Sequence, residues 1–195
     1  ALTTTASNQT ILSVASAGAK GTKISLTAVH SSGSHSCEIL MGNDGTNAYF
    51  SQFGDVTTTG GFLYDITTTM SGGNQILRAT PANTNTTFFL TYSRLPASKD
   101  GELTTTSTSE QTLDSQSVAY EGLKYSLVAT HATEGTHACE IVVGTGSFYS
   151  QYGDVLTDSV MFSLNTSVSG GNTNLLVTPV NANTTFYWDV SKRGE

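Results

Sequence analysis

The chain has 195 residues, with 8 Lys and Arg against 15 Asp and Glu, for a net charge of −7. That balance excludes the basic stripe with which a nucleic-acid binder neutralises a phosphate track, and no run approaches the roughly 18 apolar residues of a membrane-spanning helix. Charged residues are only 12%, about half the usual share, while Thr, Ser, Asn and Gly abound beside β-branched and aromatic residues, a composition that points to an all-β fold with a neutral, hydroxyl-rich surface.

The chain opens with LTTTASNQTIL, and LTTTSTSEQTL returns at Leu103 to Leu113. The opening has neither the basic region nor the apolar core of a secretory signal, so folding in a reducing cytosol is expected. Between the two copies, RLPASKDGE (Arg94 to Glu102) carries Pro96, the pair Asp100-Gly101 and clustered charge, the composition of a linker. The sequence thus predicts two tandem, homologous β-sandwich or jelly-roll-like domains of about 95 residues each, at 1–95 and 103–195, joined by a linker at 96–102. A period this long marks a duplicated domain; solenoid units run to about 20–50 residues.

Within each copy the elements read as strands. KISLTAVH (Lys23 to His30) and KYSLVATH (Lys124 to His131) alternate apolar and polar positions, the period of a half-buried strand. Gly-containing loops of hairpin length follow, and the return strands HSCEILM and HACEIVV put His35, Cys37, Ile39 and Met41 on one face, with His137, Cys139, Ile141 and Val143 as their counterparts. YFSQFGDV and FYSQYGDV are aromatic strands ending in Gly-Asp. Phe62, Tyr64 and Ile66, matched by Val160, Phe162 and Leu164, form the next alternating face. The best-preserved stretch comes last: SGGNQILRATPANTNTTFF and SGGNTNLLVTPVNANTTFY agree at 12 of 19 positions. It reads as a turn, a strand halted at Thr-Pro, a second turn and a closing strand. Roughly seven or eight strands per unit are expected, with no sustained helical period.

Several constellations invite chemistry. His30, His35 and Cys37, repeated as His131, His137 and Cys139, flank a hairpin and offer two imidazoles and a thiolate, a donor set that suits zinc. By alternation, however, Glu38 points to the opposite face and leaves the set without a fourth protein ligand. Apolar residues follow each Cys on its own face, as they do around an inert buried thiol. The expectation is a structural hairpin pair and a core thiol in each unit, with no metal and no cofactor. As a nucleophile pair, Cys37 and His35 would need an exposed cleft and an orienting third group, and two such poor sites in tandem are less expected than none, so no catalytic residue is expected. One cysteine per unit also leaves no intradomain disulfide. Asp55 after Gly54 and Asp154 after Gly153 read as turns in which the carboxylate takes a nearby backbone amide. The Gly-Gly pairs precede no helix and no P-loop lysine. Phe186 and Trp188 align with Phe88 and Leu90 as core residues, whereas Phe89 and Tyr187 face the other way and are the candidates for contact with a partner.

The block Y-S-Q-F/Y-G-D-V, a turn, an alternating strand and S-G-G-N-x-x-L-x-x-T-P-x-N-x-N-T-T-F, present from Tyr49 to Phe88 and from Phe148 to Phe186, resembles repeats in virion structural proteins of marine tailed phages of the cyanophage type. The resemblance covers about 40 residues of each unit. It implies a non-enzymatic β-domain protein made in the host cytoplasm and carried on the particle. Small size, two β-domains and the lack of a coiled-coil or collagen-like stalk favour a capsid decoration protein. Its expected partner is the major capsid protein lattice, and its expected state a homo-oligomer such as a trimer. The alternative is a tail or fibre module that binds a host receptor or surface glycan.

Overall fold

The alternation of KISLTAVH and KYSLVATH is realised as strands in which every second side chain is buried. The computed structural model describes residues 8–96, 100–144 and 146–194. Within them the chain is all-β and divides between Arg94 and Leu95 into two units. The first contains β1 (Gln9–Ala15), β2 (Ala19–His30), β3 (Gly33–Asn43), β4 (Ala48–Thr57), β5 (Tyr64–Ser71), β6 (Asn74–Pro81) and β7 (Thr87–Pro96). The second contains β8 (Gly101–Thr104), β9 (Gln111–Ser117), β10 (Gly122–His131), β11 (Gly135–Gly144), β12 (Tyr149–Leu156), β13 (Phe162–Ser169), β14 (Asn172–Pro179) and β15 (Thr185–Arg193).

Each unit is a sandwich of two antiparallel sheets. In unit 1 a sheet ordered β1-β6-β5 faces one ordered β4-β3-β2-β7; in unit 2 the orders are β13-β14-β9 and β12-β11-β10-β15-β8. Three strands form a meander, and the last long strand returns beside the first of them, the closure of a Greek key. Pro81 and Pro179 end β6 and β14, because proline has no amide hydrogen to continue a ladder.

Side chains from both sheets meet between the layers. In unit 1 these include Ile24 and Leu26 from β2, Cys37, Ile39 and Met41 from β3, Tyr64 from β5 and Leu77 from β6. In unit 2, Tyr125, Leu127, Cys139, Ile141, Phe162, Leu175, Phe186 and Trp188 fill the same space. Each fully buried Leu or Ile contributes about 1.5–3 kcal/mol by leaving water. Phe186 and Trp188 are core as expected, at 0% and 8% exposure, and Phe88 and Leu90 pack half-buried against the core of unit 1.

Two details depart from the sequence reading. Gly101 and Glu102, placed in the linker, belong to β8, which pairs with Tyr187 and Trp188 of β15. A four-residue strand at a sheet edge is too short to show a period. Tyr64 and Phe162 are buried, whereas Phe62 and Val160, expected to share a face with them, are 62% and 56% exposed. Both precede the start of the strand, at Tyr64 and Phe162, so the alternation does not reach them.

Candidate functional site

The two Gly-Asp pairs build the site. Regular pairing along β3 and β4 would set one residue opposite each residue. The register instead slips between Ser36↔Val56 and Glu38↔Phe53, so that Cys37 faces both Gly54 and Asp55. The same slip between Ala138↔Val155 and Glu140↔Tyr152 sets Cys139 opposite Gly153 and Asp154. Each is a β-bulge whose first residue is a left-handed glycine, Gly54 at φ 67° and Gly153 at φ 66°. The extra residue turns the Asp side chain toward the His of the neighbouring strand.

As a result, His35 Nε2 lies 2.7 Å from Asp55 Oδ1 and His137 Nε2 lies 2.8 Å from Asp154 Oδ1. The imidazoles are buried, at 0% and 1% side-chain exposure, while the carboxylates keep 26% and 41%. Gln52 and Gln151 donate from Nε2 to the same oxygens at 2.5 Å. The spacing of Gln and Asp repeated within S-Q-F/Y-G-D thus places a second hydrogen bond at each bulge. The bulge aims the carboxylates across the strands, and Asp154 also takes a backbone amide, as expected of a Gly-Asp turn.

The rings pack face to face with aromatics at or just before the starts of β5 and β13. His35 stacks on Tyr64 at 4.4 Å and on Phe62 at 4.9 Å, and His137 stacks on Phe162 at 4.3 Å. The Met161 amide donates to His137 Nδ1 at 3.4 Å, which leaves Nε2 as the protonated nitrogen that donates to Asp154. Both ring nitrogens of His137 are therefore engaged, one by a backbone amide and one by a carboxylate, whereas His35 Nδ1 is buried without a hydrogen-bond partner. A catalytic triad would direct the second nitrogen at a nucleophile.

Hydrogen bonding from His137, joined by that from Gln151, holds the Asp154 carboxyl below its ordinary range against the opposing pull of desolvation. Burial pushes both thiols up, Cys139 well above the ordinary cysteine value, so they are protonated at neutral pH and poor nucleophiles. The copies also differ beside the sulfur. In unit 1 the Tyr64 hydroxyl lies 3.0 Å from Cys37 Sγ; in unit 2 the equivalent residue is Phe162, and no hydroxyl stands there. Among the described residues, His137, Cys139 and Asp154 are the one group of three His, Cys or acidic side chains whose ligand atoms all lie within 4.8 Å of one another.

The remaining residues singled out by sequence fall elsewhere. The cross-strand partner of His35 is Ala28, and His30 pairs with Gly33 at the hairpin mouth, where its Nδ1 lies 2.8 Å from Ser32 Oγ. His131 likewise turns back on its own loop, with Nδ1 3.2 Å from Thr133 Oγ1. The two histidines of each hairpin therefore do not converge, because strands extend further into the loop than the Gly-containing segment indicated. Phe89 is 60% exposed, whereas Tyr187 is half-buried beside β8. Asp55, Asp154 and the Tyr64/Phe162 exchange are the site residues that sequence reasoning missed; the repetition of Gln-x-Gly-Asp was the available signal. Comparison of the chain with protein families, with curated proteins and with solved structures finds no match.

Proposed function

We propose that this chain is a non-enzymatic structural protein of a phage particle, a capsid decoration protein that binds the outer surface of the major capsid lattice. The observation that carries the reading is the inward use of its reactive side chains. Both histidines of the dyads are stacked and hydrogen-bonded within their own unit, and both thiols are buried and protonated. What faces water in the strands and turns is largely Thr, Ser and Asn, with few charges. A protein of this kind acts by contact: binding the assembled shell and not free subunits stabilises the shell by mass action. Assembly into a trimer at a symmetry axis would present the same patch to each capsid subunit.

A second reading, a tail or fibre module for a host glycan, draws on Phe148, which is 78% exposed, together with Phe62 and Phe89, since exposed rings are platforms for sugar faces and for protein partners alike. Quantitative gels of purified particles separate the two, with many copies per capsid expected for decoration and few for a tail module. Particles from a gene deletion should attach to host cells normally but lose their contents at lower temperature. Normal capsid stability with lost attachment would overturn the decoration reading in favour of the second.

A further inference from the structure

We propose that unit 2 binds one borderline or soft divalent cation, with zinc as the type case, on His137, Cys139 and Asp154, and that unit 1, which has the same three residue types, does not. The sequence offered two imidazoles and a thiolate and lacked a further ligand. The bulge at Gly153 supplies a carboxylate where the sequence placed a turn, and the hairpin histidine His131 drops out. An imidazole, a thiolate and a carboxylate are each ligands that zinc takes, and three protein ligands leave a fourth position for water.

The geometry is near what the ion requires. Ligand atoms about 2.0–2.3 Å from a tetrahedral zinc lie roughly 3.3–3.8 Å apart. The three donors already fall within 4.8 Å, with His137 Nε2 and Asp154 Oδ1 at 2.8 Å. The ion would part that pair by about half an ångström and draw in the thiolate. Cys139 and His137 are buried, while Asp154 keeps 41% side-chain exposure and provides the side from which an ion and its water enter. On binding, the Sγ proton leaves to solvent. The ring proton moves from Nε2 to Nδ1, at the cost of the 3.4 Å contact with the Met161 amide.

Unit 1 differs in the atom that matters. Tyr64 and Phe162 stack on their histidines at nearly the same distance, so the Tyr64 hydroxyl reaches Cys37 Sγ from a position that Phe162 leaves without oxygen. The hydroxyl engages the sulfur of unit 1 at 3.0 Å and competes there with any ion for the thiolate.

The test is anaerobic titration of the metal-stripped full chain with cobalt(II), read by thiolate-to-cobalt charge transfer in the near ultraviolet, followed by displacement with zinc(II). One equivalent per chain is expected. Cys139→Ser should abolish the charge-transfer band, Cys37→Ser should leave it unchanged, and Phe162→Tyr, which installs the unit 1 hydroxyl, should weaken binding roughly tenfold or more. Should Cys139→Ser fail to fold, Phe162→Tyr and Asp154→Asn carry the test, with circular dichroism as the fold control. Absence of the band in the wild type, a band that survives in folded Cys139→Ser or Asp154→Asn, or two equivalents per chain would overturn the proposal.

Discussion

At the scale of single residues, Asp154 makes stability depend on acid. Asp154 has a folded pKa below its usual value, chiefly through the hydrogen bond from His137. A depressed carboxylate stabilises the fold at pH above its unfolded pKa, near 3.8, and that contribution is lost as pH falls through the folded value. Asp154→Asn keeps an acceptor for His137 but removes the charge. It should cost about 1 kcal/mol at neutral pH, a charged hydrogen bond discounted for solvent screening. The gap between variant and wild type in denaturant midpoint should close as pH falls below the carboxylate range; a gap that persisted there would place the effect in packing instead. The sequence displayed His35, His137 and both cysteines on a common face, and that much of the site was legible. The partner carboxylates were not, because the inference rested on strict alternation, and a bulge is a local failure of alternation that only the cross-strand register reveals.

At the scale of elements, the bulges and the edge strand rest on glycines for different reasons. Gly54 sits at φ 67°, and an added Cβ there would meet nothing within 4 Å. The penalty of Gly54→Ala is therefore conformational, about 1–2 kcal/mol for a left-handed residue bearing a Cβ. Gly54→Asn should cost less, since Asn tolerates that region. Thermal midpoints of the two variants check the order. Gly101 has the opposite limit: a Cβ would stand 1.9 Å from Trp188 Cζ2. Gly101→Ala should push β8 off β15 and expose the indole, read as a red shift in Trp emission with most of the circular dichroism retained. The long strands of both sheets were legible because burial imposes a period of two on them, and Pro81 and Pro179 marked two of their ends. β8 was not, since four residues beside Pro and Gly read as linker until Tyr187 and Trp188 supply the partner strand.

At the scale of the whole molecule, duplication has kept the layers and varied what fills and faces them. Ile24 of one core is answered by Tyr125 of the other, and half-buried Phe88 and Leu90 by buried Phe186 and Trp188. The chain's one Trp thus reports on unit 2. Leu127→Ala, at a position with 0% exposure, should lower the Trp-monitored midpoint by an amount equivalent to about 2–5 kcal/mol. Surface positions carry no such load. Phe89 and Tyr187 occupy equivalent places in the two copies, but Phe89 is 60% exposed while Tyr187 is half-buried and flanked by β8. A ring that contributes little to its own fold is available to a partner. Phe89→Ser should leave the midpoint within about 0.5 kcal/mol of wild type and, on the proposed decoration role, reduce binding of the purified protein to particles that lack it. Tyr187→Ser should instead destabilise unit 2, because the ring's burial beside β8 is lost. If both variants fold and bind as wild type does, neither ring lies at the proposed capsid contact. The docking face would then have to be sought among the Thr- and Ser-rich strands, where hydrogen bonds and not apolar contact would carry it.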